Sequence, residues 1–546
     1  MTTVAGAVGG ALARAGVRTV FGVVGSGNFH VTNALTAAGA RFVAARHEGG
    51  AAVMADAYAR VSGELGVLSV HQGPGLTNAL TGITEAAKSR TPLLVLAPAA
   101  TSPRSNFYLD DAALATAVGA VPVRLGSAAT AAADLARACR TAIAERRTVL
   151  LSMPLDVQAA PSPDFELPAV PPAALPRPDP RAVAALADAL IAARRPVFIA
   201  GRGARKAGKE ITHLSERTGA LLATSAVSRG LFRAGAFTLD VSGGFATPVA
   251  ADLIAGADLL VGWGCALNMW TLRHGTLVGD GTTVVQVDLD AGALGAHQRI
   301  DLGVTGDTAA TARAVLGELD RRGGEPVQGY RSDAVAGRLA REGRWRDVPY
   351  KEVREDGRID PRTLSIALDG MLPAQRTVAV DSGNFMGYPA VYLDVPDADG
   401  FVFTQAFQSI GLGLATAIGA AVARPDRLTV AALGDGGALM SIADLETAVR
   451  LGLGLLVVVY DDEAYGAEVH HFGPDGDPLD HVTFPPADIA GIGRGFGCAA
   501  ATVRAPADLE AVAAWLAGPR DRPMVVDAKV TRGEPSWWLA EAFRGH

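Results

Sequence analysis

Eight short runs recur along the chain in which leucine and β-branched residues follow one another almost without a polar interruption. They occupy 67–70, 93–96, 197–200, 259–261, 284–287, 377–380, 428–431 and 455–460. A strand with one wet face alternates polar and apolar residues; runs such as these suit strands covered on both faces, the habit of parallel sheets. Ala/Leu-rich stretches with helical character separate them. The pattern predicts an α/β chain, and parallel strands with intervening helices predict doubly wound sheets.

A chain of 546 residues exceeds what one core can fill. Pro161, Pro163, Pro168, Pro171, Pro172, Pro176, Pro178 and Pro180 crowd one segment. Such density predicts an extended linker with neither helix nor ladder. A charged, Gly- and Arg-containing stretch over 321–355 marks a second, softer boundary. Three doubly wound parallel-sheet domains are therefore expected, over 1–160, 181–325 and 355–546.

Composition excludes several functions. Hydrophobic residues make up 49% of the chain and charged residues 19%, which rules out a disordered polyelectrolyte. No run approaches the ~18 apolar residues of a membrane span. A net charge of -7 gives no footprint for nucleic acid. Cys139, Cys265 and Cys498 lie too far apart for a CxxC metal site or a disulfide framework, so buried thiols are expected. The N-terminus carries no basic leader, and a cytoplasmic protein is expected.

The first and third regions echo each other. In the first, a strand ends before Gly73-Pro74-Gly75, Glu85 follows Gly73 by 12 residues, and another apolar run comes next. In the third, a strand ends before Gly434-Asp435-Gly436, Glu446 follows Gly434 by 12, and an apolar run again comes next. Two related domains flanking a third are implied.

Two motifs carry candidate chemistry. Asp435 follows one apolar run and Asp462, 27 residues on, follows the next. Adjacent strand ends would bring these carboxylates together, where they repel unless a cation lies between them. Hard oxygen ligands beside glycine amides suit Mg2+ and a diphosphate. The second motif is Glu48, which shares a helical face with Ala51, Ala52, Ala55 and Ala59. A carboxylate buried on so small and apolar a face would hold its proton toward neutrality.

Taken together, Arg46-His47-Glu48, Gly73-Pro74-Gly75-Leu76-Thr77-Asn78, Gly434-Asp435-Gly436, Gly201-Arg202-Gly203-Ala204-Arg205 and 285–290 resemble the thiamine diphosphate (ThDP) enzymes of the acetolactate synthase, pyruvate oxidase and 2-oxo acid decarboxylase superfamily. The resemblance covers nearly the whole chain. It implies pyrimidine-binding, middle and diphosphate-binding domains in that order. It also implies that Glu48 bonds N1′ of the cofactor's aminopyrimidine. Asp435, Asp462 and a backbone carbonyl near Ala464 would hold Mg2+. Gly383, Asn384, Phe385, Gly434, Gly436, Gly437 and Tyr465 would line the diphosphate, and Ile410 would support the bent cofactor. The family usually has Asn where this chain has Asp462, and often Asn where it has Asp461; an oxygen ligand is kept and negative charge is added.

Around the reacting carbon the resemblance points to Ser26, His71 and Glu468, matching residues of benzoylformate- and pyruvate-decarboxylase-like enzymes. Against acetolactate synthase proper, Leu109 stands where that family has an amide. The implied activity is decarboxylation of a small-molecule 2-oxo acid, carboligation of the resulting acyl anion, or both. FAD is left undecided, because the middle-region glycines occur with and without it. The implied assembly is a homodimer or homotetramer with active sites between subunits. The alternatives are a non-catalytic binding or regulatory subunit of the same fold and, more remotely, a nicotinamide oxidoreductase using Gly201 and Gly203.

Overall fold

The structure, a computed structural model, describes residues 2–171, 174–232, 235–323 and 325–539. Pro172 of the linker and 540–546 of the third region lie outside the described residues. All eight apolar runs are strands, and they belong to three six-stranded sheets in which every neighbouring pair is parallel.

The first sheet holds Thr19–Gly22, Arg41–Ala44, Gly66–Ser69, Leu93–Ala99, Val121–Arg124 and Thr148–Pro154. The third holds Arg376–Val380, Phe401–Phe403, Leu428–Gly434, Leu455–Asp461, Ala499–Val503 and Met524–Lys529. Numbered along the chain, both run 2-1-3-4-6-5. The short echo between the two regions therefore extends to complete topology. The middle sheet, Pro196–Ala200 through Leu302–Thr305, runs 3-2-1-4-5-6, the order typical of dinucleotide-binding folds. Its glycines are used for backbone contact: the Gly203 N–H donates to the Gly264 carbonyl at 3.0 Å across the switch point.

The linker departs from the expectation in one respect. Pro161–Ser162 pairs antiparallel with Thr2–Thr3, and the Val4 N–H donates to the Ala160 carbonyl at 3.0 Å. A proline lacks a donor but keeps its carbonyl, so an edge pair of two residues tolerates it. Beyond Ser162 the described linker residues carry no helix or strand until Pro180 opens the helix Pro180–Ala192. Proline is favoured there because its missing N–H is one the helix would leave unpaired.

The first and third regions share one core. The helix Glu48–Ser62 packs along Gly413–Ala423, and one hydrophobic cluster runs from Phe21 and Met54 through Ile418 to Val457. Charge reinforces the seam. Arg60 donates to Asp56 at 2.9 Å, to Glu85 at 2.8 Å and to Ser89 at 2.7 Å; Glu85 also accepts from the backbone of Ala406 and Phe407. Asp56 and Glu85 are fully buried. Replacing Arg60 with Met would leave two buried carboxylates without their cation. The first urea-unfolding transition of Arg60→Met should lose about 3–5 kcal/mol relative to wild type.

Among the described residues no helix is long and apolar enough to cross a membrane. All three cysteines are buried and free, and burial pushes the Cys139 thiol up to about 12.

Candidate functional site

Both outer sheets reverse their strand order between their first and third strands, and ligands of open α/β sheets bind outside the strand ends at such points. In the first sheet the switch point lies between Gly22 and Ser69, and the loops leaving those strands carry Ser26 and His71. The His71 Nδ1 lies 2.8 Å from the Gln72 carbonyl, which can only accept. Nδ1 therefore carries the proton, and the neutral ring presents Nε2 as an acceptor. The Ser26 hydroxyl lies 3.2 Å from that nitrogen and donates to it. The two loops touch so closely that a Cβ on Gly25 would fall 2.0 Å from the imidazole. Phe107 closes the other side, its ring 5.3 Å from that of His71.

The Ser26 loop is held by a residue that sequence reasoning missed. Asn28 is buried; its side chain accepts from Gly25 N–H at 2.8 Å and donates to the Val23 carbonyl and the Ser69 hydroxyl. Polarity in a turn was the available signal, but the partner strand was not visible from spacing.

Glu48 is the first residue of its helix, capped by His47, whose Nδ1 accepts from Gly49 N–H at 3.0 Å. An acid in the first turn is stabilised by the helix dipole. Asn78 donates to Glu48 Oε2 at 3.0 Å. Ala51, Ala52, Ala55 and Ala59 are buried as expected, but Glu48 itself is half-buried in the single chain. The helix face is sealed by Gly413–Ala423, while its first turn projects past that contact. Gly75 borders both residues: a Cβ there would lie 3.1 Å from the His71 Cβ and 3.3 Å from Glu48 Oε1.

In the third sheet Asp435 follows Leu428–Gly434, a strand at the switch point, and opens the helix Asp435–Ser441, while Asp462 follows the adjacent strand Leu455–Asp461. Loss of water, then the charges of Asp462 and Asp461, push Asp435 up to about 8. Loss of water, then Asp461, pushes Asp462 up to about 7. Two carboxylates that cannot both ionise comfortably form a site that a divalent cation would satisfy. A Cβ on Gly466 would lie 2.2 Å from the Asp462 Oδ2. The carboxylate therefore lies against the start of the helix Gly466–Phe472, which carries Glu468. Among the described residues no three His, Cys, Asp or Glu side chains form a metal cluster. A cation here would draw its remaining ligands from backbone, water or diphosphate oxygens, the usual pattern for Mg2+.

The other named residues gather around this pair. Tyr465 packs over Gly436, with its Cε1 2.6 Å from where a Cβ would stand. Ile410 borders Gly437, its Cγ2 3.3 Å from the corresponding point. Phe385 is buried against Tyr460, ring centroids 5.3 Å apart, so only its backbone can face a diphosphate. The Asn384 Oδ1 accepts from Ser536 N–H at 3.2 Å. Gly383 has a φ of 143° and turns the chain between Asp381 and Asn384. Asp381, unremarked in the sequence, is fully buried and accepts from the backbone of Ser382, Gly411 and Leu412, fixing the loop that presents Ile410. Beside Glu48 the first region meets the third at Asp444, whose Oδ1 accepts from the Arg46 N–H at 3.1 Å.

Residues 2–115 match the thiamine pyrophosphate enzyme N-terminal TPP binding domain, 183–315 the central domain and 381–528 the C-terminal TPP binding domain. The chain is 32% identical to a probable 2-ketoarginine decarboxylase of Pseudomonas aeruginosa, over 91% of this chain and 88% of that one. It is 28% identical to a catabolic acetolactate synthase of Raoultella terrigena, over 91% and 89%. It is also 28% identical to a sulfoacetaldehyde acetyltransferase of Rhodobacter capsulatus, over 84% and 81%. With three domain models matched in order and full-length relatives of this likeness, the chain belongs to the thiamine pyrophosphate enzymes.

Proposed function

We propose that the chain decarboxylates a 2-oxo acid, with protonation or carboligation of the resulting acyl anion completing the turnover. Glu48, whose Oε1 borders Gly75, and the hydrogen-bonded Ser26–His71 pair on the loop leading into that glycine turn carry this reading. The Asp435/Asp462 pair supports a resident Mg2+, with the Ala464 carbonyl nearby in the chain and Gly383, Gly434, Gly436, Gly437 and the backbone of Asn384 and Phe385 around the diphosphate. Bound ThDP supplies a thiazolium that accepts the electron pair left by departing CO2. Glu48 holds the aminopyrimidine N1′ and carries the proton that its tautomer change requires. His71, through Nε2, moves a proton at the substrate, and Ser26 holds that nitrogen in place. Glu468, in the helix that follows the Asp462 loop, would face the substrate carboxylate.

Relatives named decarboxylase, synthase and acetyltransferase support an enzyme of this type, and the intact Glu48, Asp435 and Asp462 speak against a non-catalytic subunit. Exposed apolar side chains beside the site support a second copy: Val24, Phe29 and Phe107 near Ser26 and His71, and Leu439 and Met440 on the Asp435 helix. Assembly would bring one copy's Glu48 to its partner's metal pair, so an active monomer would contradict this arrangement.

The test is a panel of 2-oxo acids, with CO2 measured with and without an aldehyde acceptor. At least one acid should release CO2, and His71→Ala should lower kcat/KM for it by about 100-fold. Absence of CO2 from every acid removes the reading.

A further inference from the structure

The metal loop contains a carboxylate that points away from the metal pair. Asp461 ends its strand directly opposite Lys529, the last residue of the neighbouring parallel strand. Its Oδ2 is ion-paired to the Lys529 ammonium, and both side chains are buried, 1% and 5% exposed. Lys529 also donates to the Ala487 carbonyl at 2.9 Å and lies 3.1 Å from Asp527. The second oxygen of Asp461 accepts from Glu463 N–H at 3.0 Å. Glu463 stands at φ 57°, a left-handed conformation that a non-glycine residue keeps only when its surroundings impose it. Arg358, at 2.5 Å, and Arg532, at 3.1 Å, hold the Glu463 carboxylate. This turn leads from Asp462 into the helix Gly466–Phe472, against whose first residue the Asp462 Oδ2 lies.

We propose that Lys529 is a positioning residue for the metal site. By fixing Asp461 it fixes the Glu463 turn and thereby the direction in which Asp462 is presented to the cation. The inference rests on the reading of Asp435 and Asp462 as metal ligands. The bond that transmits position is Asp461 Oδ1 to Glu463 N–H, and asparagine can make it without a charge. With Lys529 gone, a charged Asp461 is free to turn toward the cation and compete with Asp462, whereas an asparagine keeps its acceptor and has no such pull.

The experiment is calorimetric titration of the full-length chain with ThDP at fixed MgCl2. Lys529→Met should weaken binding about tenfold or more, the range seen when groups that orient metal ligands are removed. Adding Asp461→Asn in that background should return affinity to within about threefold of wild type, while Asp461→Leu, lacking the acceptor, should not. Asp527 loses its ammonium in all three variants, so its contribution cancels between the double variants. Should Lys529→Met fail to fold, the two double variants decide alone. Binding by Lys529→Met within about twofold of wild type, or equal binding by the Asn and Leu double variants, overturns the inference. If wild type takes up ThDP equally well with Mg2+ withdrawn, the metal reading fails and the inference falls with it.

Discussion

Glu48→Gln should cut turnover by about 1,000-fold while leaving ThDP binding within about threefold of wild type. The substitution is close to isosteric, and glutamine can still accept the bond from Asn78 that now reaches Glu48 Oε2 at 3.0 Å. The helix begins with this residue and is capped by His47, so the fold does not depend on the charge. What glutamine cannot do is hold an exchangeable proton against the aminopyrimidine. General acid–base groups are worth roughly 100- to 10,000-fold, and a group that sets the reactive tautomer belongs in the upper part of that range. CO2 release measures the rate, titration calorimetry the cofactor affinity, and thermal unfolding confirms that the fold is intact. Undiminished turnover would remove Glu48 from the mechanism. Loss of turnover with proportionate loss of binding would make it a binding residue only.

Architecture was the most legible level, because parallel strands buried on both faces write themselves as unbroken apolar runs. The repeated topology of the outer sheets showed in sequence only where a glycine turn and a glutamate kept their spacing. The rest of the repeat is carried by burial, which many side chains satisfy equally well. Asp435 and Asp462 were legible because strand ends are easy to locate, and the structure has them just beyond the ends of two adjacent parallel strands. The second layer was not. Asn28, Asp381 and Lys529 act on partners separated by tens of residues, or across neighbouring strands whose pairing is a tertiary fact. Glu85 keeps the repeat's spacing, and its carboxylate also holds the 406–407 backbone against the first region. Asp461 marked a departure from the family's Asn, and only strand register shows that Lys529 compensates it. Glu48 shows the opposite limit. Its helix face is buried as the pattern required, but the carboxylate itself, in the first turn, is only half-buried in the single chain.

Asp435→Ala should weaken Mg2+-dependent ThDP binding by at least about 100-fold, since even residues that merely orient ligands cost up to that amount. The wild-type site makes a second, less ordinary prediction through pH. Asp435 is pushed up to about 8 and Asp462 to about 7, far above an unperturbed aspartate. A cation needs both ionised, so affinity for Mg2+ with ThDP should rise with pH and level off above about 8; below about 7 it should fall as protons compete. The cofactor-free chain should behave in the reverse sense. Its folded state holds protons that the unfolded chain gives up near pH ~4, so their stabilisation is full below that point and is lost as pH rises through 7 to 8. Cofactor-free wild type should therefore unfold at a lower temperature at about pH 8.5 than at about pH 6, and Mg2+ with ThDP should reverse the loss. Asp435→Ala separates the two effects, because it removes a ligand and a repulsion together. Without cofactor it should be at least as stable as wild type at about pH 8.5, and Mg2+ with ThDP should then add nothing to its unfolding temperature. A variant that loses stability without cofactor at high pH would mean that Asp435 is held by interactions other than the cation, and the pair would no longer stand as a metal site.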